Sequence, residues 1–417
     1  MESGHVPKYL NAAVKENNMI VSTTNEAMTS ISGKNGFGTD KAEFEVEINK
    51  ADILDGSSLQ LKGKIKVNGD INKRVYFNSN AYSLPEQMSI EINGQNVLLL
   101  NQDCDHVSKL DRTLHSSFTQ YYNTDVMALA GQDLKTEQSF VLDLSKYGSA
   151  LEYFLVTSPV LTMKVKIRFQ QNLAKLFYVG ETGAVTGSVT GYTIDDLRLT
   201  ADFSNFKAEA KESQIKKYQS PTGIKMTTHS YIPQRAQLFP TTNHRIQGSF
   251  LNRNVVSAYY VPVLTTIGTA DKAGGISKTD IVSNIGFEGG ALPKNMRVRM
   301  DGSNYVNQNG TAGVSNKMEH LTGALKAAFR TPEENNVGYH LCKGYKENRY
   351  QPTGVSFVRG NDNYKEITNS GVNGFYARGA LITEFDTTAN QTNRSLLTIG
   401  VVTTTVSIEN GQVSVVQ

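Results

Sequence analysis

The chain has 417 residues, 39% of them hydrophobic, and its 42 basic and 39 acidic side chains leave a net charge of +3. That apolar content can build a packed core and the length suits two domains, while the charge balance excludes wholesale coating of nucleic acid by phosphate neutralisation. The strongest apolar run, at 97–100, falls far short of the roughly 20 residues that cross a bilayer.

Residues 1–42 are rich in Asn, Ser, Thr and Gly and show no sustained period, so a mobile N-terminal arm is expected. The opening Met-Glu-Ser-Gly-His-Val-Pro-Lys has neither a basic start nor an apolar core. Synthesis in a cytosol without a secretory leader is therefore expected.

From residue 43 the text alternates. Phe44, Val46 and Ile48 alternate with Glu43, Glu45 and Glu47; Leu59, Leu61, Ile65 and Val67 are interleaved with Lys62, Lys64 and Lys66. Met88, Ile90 and Ile92 follow, then Phe140, Leu142 and Leu144, then Leu161, Met163, Val165, Ile167 and Phe169 set against Lys164, Lys166 and Arg168. Period two with one dry face predicts antiparallel sheets of a sandwich. Between Tyr192 and Phe203 the inward set changes phase after Asp195-Asp196, which predicts a β-bulge.

The polar stretch 205–223, closing on Ser220-Pro221, is expected as a linker between a first domain at 43–204 and a second at 224–417. Strand-like text resumes at 224–232, 255–261, 296–300, 375–385 and 396–408. Two helices are expected. Val107, Leu110, Leu114, Phe118 and Tyr121 make one, behind Asp103 and Asp105 as caps; Met318, Leu321, Leu325 and Phe329 make the other, behind Ser315.

The two halves repeat. Leu84-Pro85 through Asn96 aligns with Leu292-Pro293 through Asn304 at an offset of 208 (292 − 84), half the chain length, with Leu, Pro, Met, Gly and Asn identical. Each copy is an alternating strand ending in Asn-Gly or Asp-Gly, the pair that supplies positive φ to a tight hairpin, and each is followed by an expected helix. Two copies of one β-sandwich are the simplest account.

Chemistry-bearing motifs are scarce. His5, His106, His115, His229, His244, His320 and His340 show no metal-ligand spacing, and Cys104 and Cys342 form no CxxC, so structural histidines and two buried, inert thiols are expected. Gly274-Gly275-Ile276-Ser277-Lys278-Thr279 lacks the glycine that a phosphate loop needs before its lysine. The acid pairs Asp195-Asp196 and Glu333-Glu334 are adjacent in sequence, and adjacent acids are expected to point to opposite faces of a strand or to be solvated in a loop. The sequons at Asn309, Asn390 and Asn393 are expected to be unmodified, and the Lys62/Lys64/Lys66 and Lys164/Lys166/Arg168 stripes to be the wet faces of sheets rather than phosphate sites. No catalytic, cofactor-binding or metal residue is assigned, and no enzyme activity is expected.

Residues 43–67 (EFEVEINKADILDGSSLQLKGKIKV), with an acidic strand leading through an Asp-Leu turn into an LxLKxKI strand, resemble the opening of the double jelly-roll major capsid proteins of tailless icosahedral DNA viruses, the lineage of adenovirus hexon, polinton-like elements and virophages. Residues 83–97 (SLPEQMSIEINGQNV) are similar to that family's hairpin before its helix, and 159–169 with 192–203 to the strands closing its first jelly roll. The resemblance covers most of 43–265, and the absence of Trp departs from it. It implies a mainly β chain of two tandem antiparallel eight-stranded jelly rolls, each with one short helix insertion.

In function it implies a virion component whose homotrimers form pseudo-hexameric capsomers that tile an icosahedral shell, meeting neighbouring capsomers, penton and minor capsid proteins, with no sequence-specific nucleic-acid binding. The near-neutral arm then suits contact with neighbouring tiles or an inner membrane. The long loops at 265–290 and 301–314 would carry trimer contacts or surface decoration. The alternatives are a β-sandwich receptor- or glycan-binding surface or fibre protein, and, weaker, a jelly-roll glycoside enzyme, which needs two acids facing across a concave sheet.

Overall fold

A computed structural model of the chain describes residues 20–31, 36–39, 42–49, 52–70, 74–148, 154–156, 161–179, 189–264, 292–300, 303–307, 314–328, 339–347, 351–357, 377–392 and 394–416. Elements are numbered in chain order. The first half holds β1 Ile20–Met28, β2 Phe37–Gly38, β3 Glu43–Ile48, β4 Ile53–Asn68, β5 Val75–Phe77, β6 Pro85–Ile92, β7 Gln95–Leu100, α1 Cys104–His115, α2 Phe118–Met127, β8 Gln138–Asp143, β9 Phe154–Val156, β10 Met163–Phe169, α3 Leu173–Leu176, β11 Phe177–Val179 and β12 Gly191–Phe206. One sheet runs β1-β12-β4-β8, with β2 also on β12 and β9 on β4; the facing sheet runs β3-β10-β6-β7, and β5 pairs with β11. Phe44, Val46, Leu61, Ile65, Ile90, Phe140, Val165, Ile167, Leu199 and Phe203 are each at most 1% exposed between the two sheets.

The second half adds, after α4 Ala208–Gln219, the strands β13 Ile224–Gln237, β14 Asn243–Leu264, β15 Lys294–Met300, β16 Ser303–Asn307, helices α5 Val314–Ala327 and α6 Tyr339–Lys346, and strands β17 Thr353–Ser356, β18 Ala377–Asp386, β19 Arg394–Glu409 and β20 Gln412–Val416. Its topology repeats the first. The N-terminal part of β14, residues 243–250, pairs with β18; its C-terminal part, from Val255, pairs with β19 and β17. The sheets are therefore β13-β19-β14-β17 and β14-β18-β15-β16, joined because β14 carries two successive strands without a break. β1 corresponds to β13, β3 and β4 to the two parts of β14, β6 and β7 to β15 and β16, β8 to β17, β10 to β18, and β12 to β19.

The fold is thus mainly β, two tandem eight-stranded jelly rolls. Several expectations need amendment. Among the described residues each half has two helices, not one, between corresponding strands: α1 and α2, then α5 and α6. The apolar period from Val107 to Tyr121 runs through a break at Ser116-Ser117. There the Ser117 N–H donates to Gln120 Oε1 (3.1 Å) and the Gln120 N–H to Ser117 Oγ (3.3 Å), a capping box that starts α2 afresh. The 1–42 stretch is not all arm, because β1 and β2 pair along β12 and supply the outer strand of the first sheet. The 205–223 linker contains α4.

Other local readings match. Asn93 (φ 47°) and Gly94 (φ 79°) turn β6 into β7, and β12 slips register against β4 between Asp195 and Arg198, with Asp196 at φ 50°. The loop at 265–290, most of 301–314, His5, Glu333-Glu334, Asn309 and Asn393 lie outside the described residues. No helix among the described residues is long and apolar enough to cross a membrane.

Candidate functional site: the seam between the two halves

Among the described residues, a dense group of buried charges lies where the halves meet, around α1. Residues Cys104 to Leu114 are all buried, far more than the narrow stripe a surface helix hides. Asp103 precedes the helix in a left-handed conformation (φ 56°) and makes no side-chain capping bond. Its carboxylate instead pairs with the Arg235 guanidinium of β13, in the other half. The Tyr231 hydroxyl donates to Asp111 Oδ1 (2.8 Å), and Ser230 Oγ donates to the Val97 carbonyl on β7 (3.3 Å) while accepting from Thr404 (2.9 Å). The His340 ring of α6 stacks on Tyr121 with centroids 3.7 Å apart.

Beneath the seam, Arg112 is 1% exposed, paired with Asp125 and laid over the rings of Tyr82 (4.4 Å) and Tyr121 (5.4 Å). Asn80 Nδ2 donates to the same Asp125 oxygen (2.8 Å), and the Lys109 ammonium donates to the Tyr121 hydroxyl. Burial alone would raise the Asp125 carboxyl, but Arg112 and Lys109 hold it below its ordinary value. Buried His229, on β13, is lowered to about 4 by burial, with His115 adding to the effect, so it is neutral near pH 7.

Asp103, Asp105 and His106 bring ligand atoms within 4.8 Å of one another, the sort of set that can hold a cation. The protein already supplies the positive charge, through Arg235 on Asp103 and Lys175 on Asp105 (3.8 Å). Burial would raise Asp105 as well, yet Lys175 and His106 keep it below the ordinary range. A divalent ion added here would leave excess positive charge in a dry site. The arrangement is a neutralised lock rather than a reaction centre.

The other sequence candidates fall to structural roles. His320 bridges the Pro293 carbonyl (2.8 Å) and Thr353 Oγ1 (3.0 Å), and His244 meets Thr387 Oγ1 (3.1 Å). Cys104 is buried, its thiol donating to the Glu86 carbonyl (3.2 Å), but Cys342 is exposed on α6, contrary to the expectation of two buried thiols. The basic stripes are answered by acids. Lys166 meets Glu91 (2.7 Å), Lys164 meets Glu47 (3.3 Å) and Lys64 meets Asp196 (2.8 Å), so they are wet sheet faces with partners. Phe118, Tyr122, Val126 and Met127 of α2 are 45–61% exposed, an apolar stripe of which the sequence reading had placed Phe118 on the helix's apolar face.

Two jelly rolls in one chain, locked rim to rim by a buried polar seam, define a double jelly-roll protein. No family model and no curated protein matches the sequence. Solved structures do. The PBCV-1 virus capsid matches with a TM-score of 0.59 at 10% identity over 95% of this chain and 97% of that one. The Faustovirus major capsid protein matches at 0.55 and 9% identity, over 93% and 90%. A chain of the Sputnik virophage matches at 0.53 and 11%, over 95% and 89%. What is shared at such identity is the fold, and it is the double jelly roll of viral capsid structures.

Proposed function

We propose that this chain is a viral major capsid protein whose homotrimers present six jelly rolls as a pseudo-hexagonal tile of an icosahedral shell. The observation that carries this is duplication with a built seam: a single chain that fixes two equivalent sandwiches side by side lets three copies fill six lattice positions. The charge-neutral interior of the seam and the paired surface stripes suit a structural element that neither catalyses nor grips a genome. The exposed apolar stripe of α2 gives an assembling protein surface to bury.

Neighbouring capsomers, penton and minor capsid proteins are the proposed partners, and the virion is the proposed location after synthesis in the host cytosol. The inner-membrane or neighbour contact first assigned to 1–42 is proposed now for 1–19, since β1 is committed to a sheet. Light scattering with negative-stain imaging of the purified full chain tests the reading. A trimer near three times 45.8 kDa with hexagonal outlines is expected. A monomer at all concentrations, or a chain that binds glycans and never tiles, overturns it.

A further inference from the structure

The wet faces of the two sandwiches carry one constellation with its charges exchanged. On the first, Lys166 of β10 lies opposite Glu45 of β3 and Ser89 of β6, and meets Glu91 across the diagonal (2.7 Å). On the second, Glu384 of β18 lies opposite Arg245 of β14 and Arg297 of β15, and meets Arg299 across the diagonal (2.8 Å). Ser89 and Glu91 answer to Arg297 and Arg299 at the repeat's own offset (297 − 89 = 208; 299 − 91 = 208). Since the same fold is built with either set, the three arginines are not a requirement of the sheet.

The exchange is also unequal. In the first half each basic residue has an acid of its own: Lys166 takes Glu91, Lys164 takes Glu47 (3.3 Å) and Arg168 meets Glu86 (3.7 Å). In the second, Arg245 (3.6 Å) and Arg299 share the single carboxylate of Glu384, and Arg297 has no ion pair among the described residues. The next acid along, Asp386, accepts from Asn295 Nδ2 (2.6 Å) and lies opposite Lys294. Three guanidiniums against one carboxylate leave an excess of two positive charges on a patch two strand spacings, or about 10 Å, wide. Arg245 is 71% and Arg299 40% exposed, and Arg297 is exposed as well. Arg299 Nε has no hydrogen-bond partner among the described residues.

We propose that Arg245, Arg297 and Arg299 form a binding site for an oxyanion of the phosphate or sulfate type, free or carried as a monoester on a larger molecule. Guanidinium forks match the oxygens of such a group in pairs, and the excess of two charges answers one dianion. A nucleic-acid backbone suits the patch poorly, because it calls for a track of cations and Glu384 interrupts this one. The acidic face of a second copy suits it no better, since Glu47, Glu86 and Glu91 are engaged already. The site goes beyond the capsid reading and stands independently of it.

The test is calorimetric titration of the full chain with sodium phosphate, sodium sulfate and glucose 6-phosphate, at constant ionic strength so that screening does not vary. One saturable site per chain is expected for phosphate and for sulfate, each displacing the other. Binding of glucose 6-phosphate assigns the site to an esterified group, and its failure to bind assigns it to the free ion. Arg297→Ser, which installs the residue of the twin face, is expected to weaken binding about tenfold, the contribution of one charge-assisted hydrogen bond. The melting temperature is expected to stay unchanged in that variant, because Arg297 makes no ion pair among the described residues. Lys216→Ser on exposed α4 removes the same charge and is expected to leave binding as it was. No saturable binding at constant ionic strength, or an equal loss in the two variants, overturns the proposal. So does binding that vanishes when tiles form, since the arginines would then belong to a contact with a neighbouring copy.

Discussion

Replacing Arg112 with Met removes a charge while keeping a long side chain in place. Arg112 is 1% exposed and its partner Asp125 is 22% exposed, so the substitution strands a carboxylate that water reaches only in part. Breaking a fully buried pair by deleting one partner costs about 3–5 kcal/mol. Asn80 still donates to Asp125 and some water enters, which places the cost near the lower end, about 3 kcal/mol. At roughly 2–4 °C per kcal/mol for a domain of this size, the melting temperature falls by about 6–12 °C.

The assay is a thermal melt of the single variants and of Arg112→Met/Asp125→Asn together. The double variant buries no charge and is expected to recover most of the loss, giving a coupling of about 2 kcal/mol or more. If Arg112→Met melts within about 2 °C of the unaltered chain, or if the double variant is no better than the single, the pair is not what holds the helices beneath the seam.

Two further outcomes follow from the seam and the second core. His229 is held at about 4 against an ordinary 6.5, so the stabilisation is whole above pH 6.5 and is lost as the pH falls from there towards 4. The loss amounts to about 3 kcal/mol at most; melts at pH 7 and pH 4.5 are expected to show a steeper acid decline than those of His229→Gln, and equal slopes would contradict this. For Gly400→Ala, a Cβ would sit 2.4 Å from Phe250 Cε1 and 2.8 Å from Cζ. That overpacking costs about 1–3 kcal/mol, visible as a lowered melting temperature that Phe250→Leu partly restores; an unchanged melt would show that the ring moves freely.

The first half was the more legible because its sheets have one wet face. β3 and β10 bury every second residue and pair Glu45 and Glu47 with Lys166 and Lys164 across the ladder, so period and charge both survive in the text. In β19, residues Ser395 to Thr404 are buried on both faces, Leu396 and Val402 in one core with Phe250 and Tyr260, and Leu397, Ile399 and Val401 in the other with Tyr259 and Val261. Doubly covered strands lose alternation, which is why 396–408 reads as strand without showing its orientation.

β1 was missed for the opposite reason. Its Ser, Thr and Asn carry little apolar signal, and its place is fixed by hydrogen bonding to β12. The seam left no local trace at all, since Asp103 and Arg235 are 132 residues apart and only the folded chain brings them together. Asp103 and Asp105 were read as helix caps, and one of them became a tie between domains.

One asymmetry between the sandwiches lies in how their two layers are joined. In the second, β14 passes unbroken from one sheet into the other. In the first, the corresponding strands are separate, β3 ending at Ile48 and β4 starting at Ile53. The two layers of the second sandwich therefore share one continuous strand, whereas those of the first meet through two.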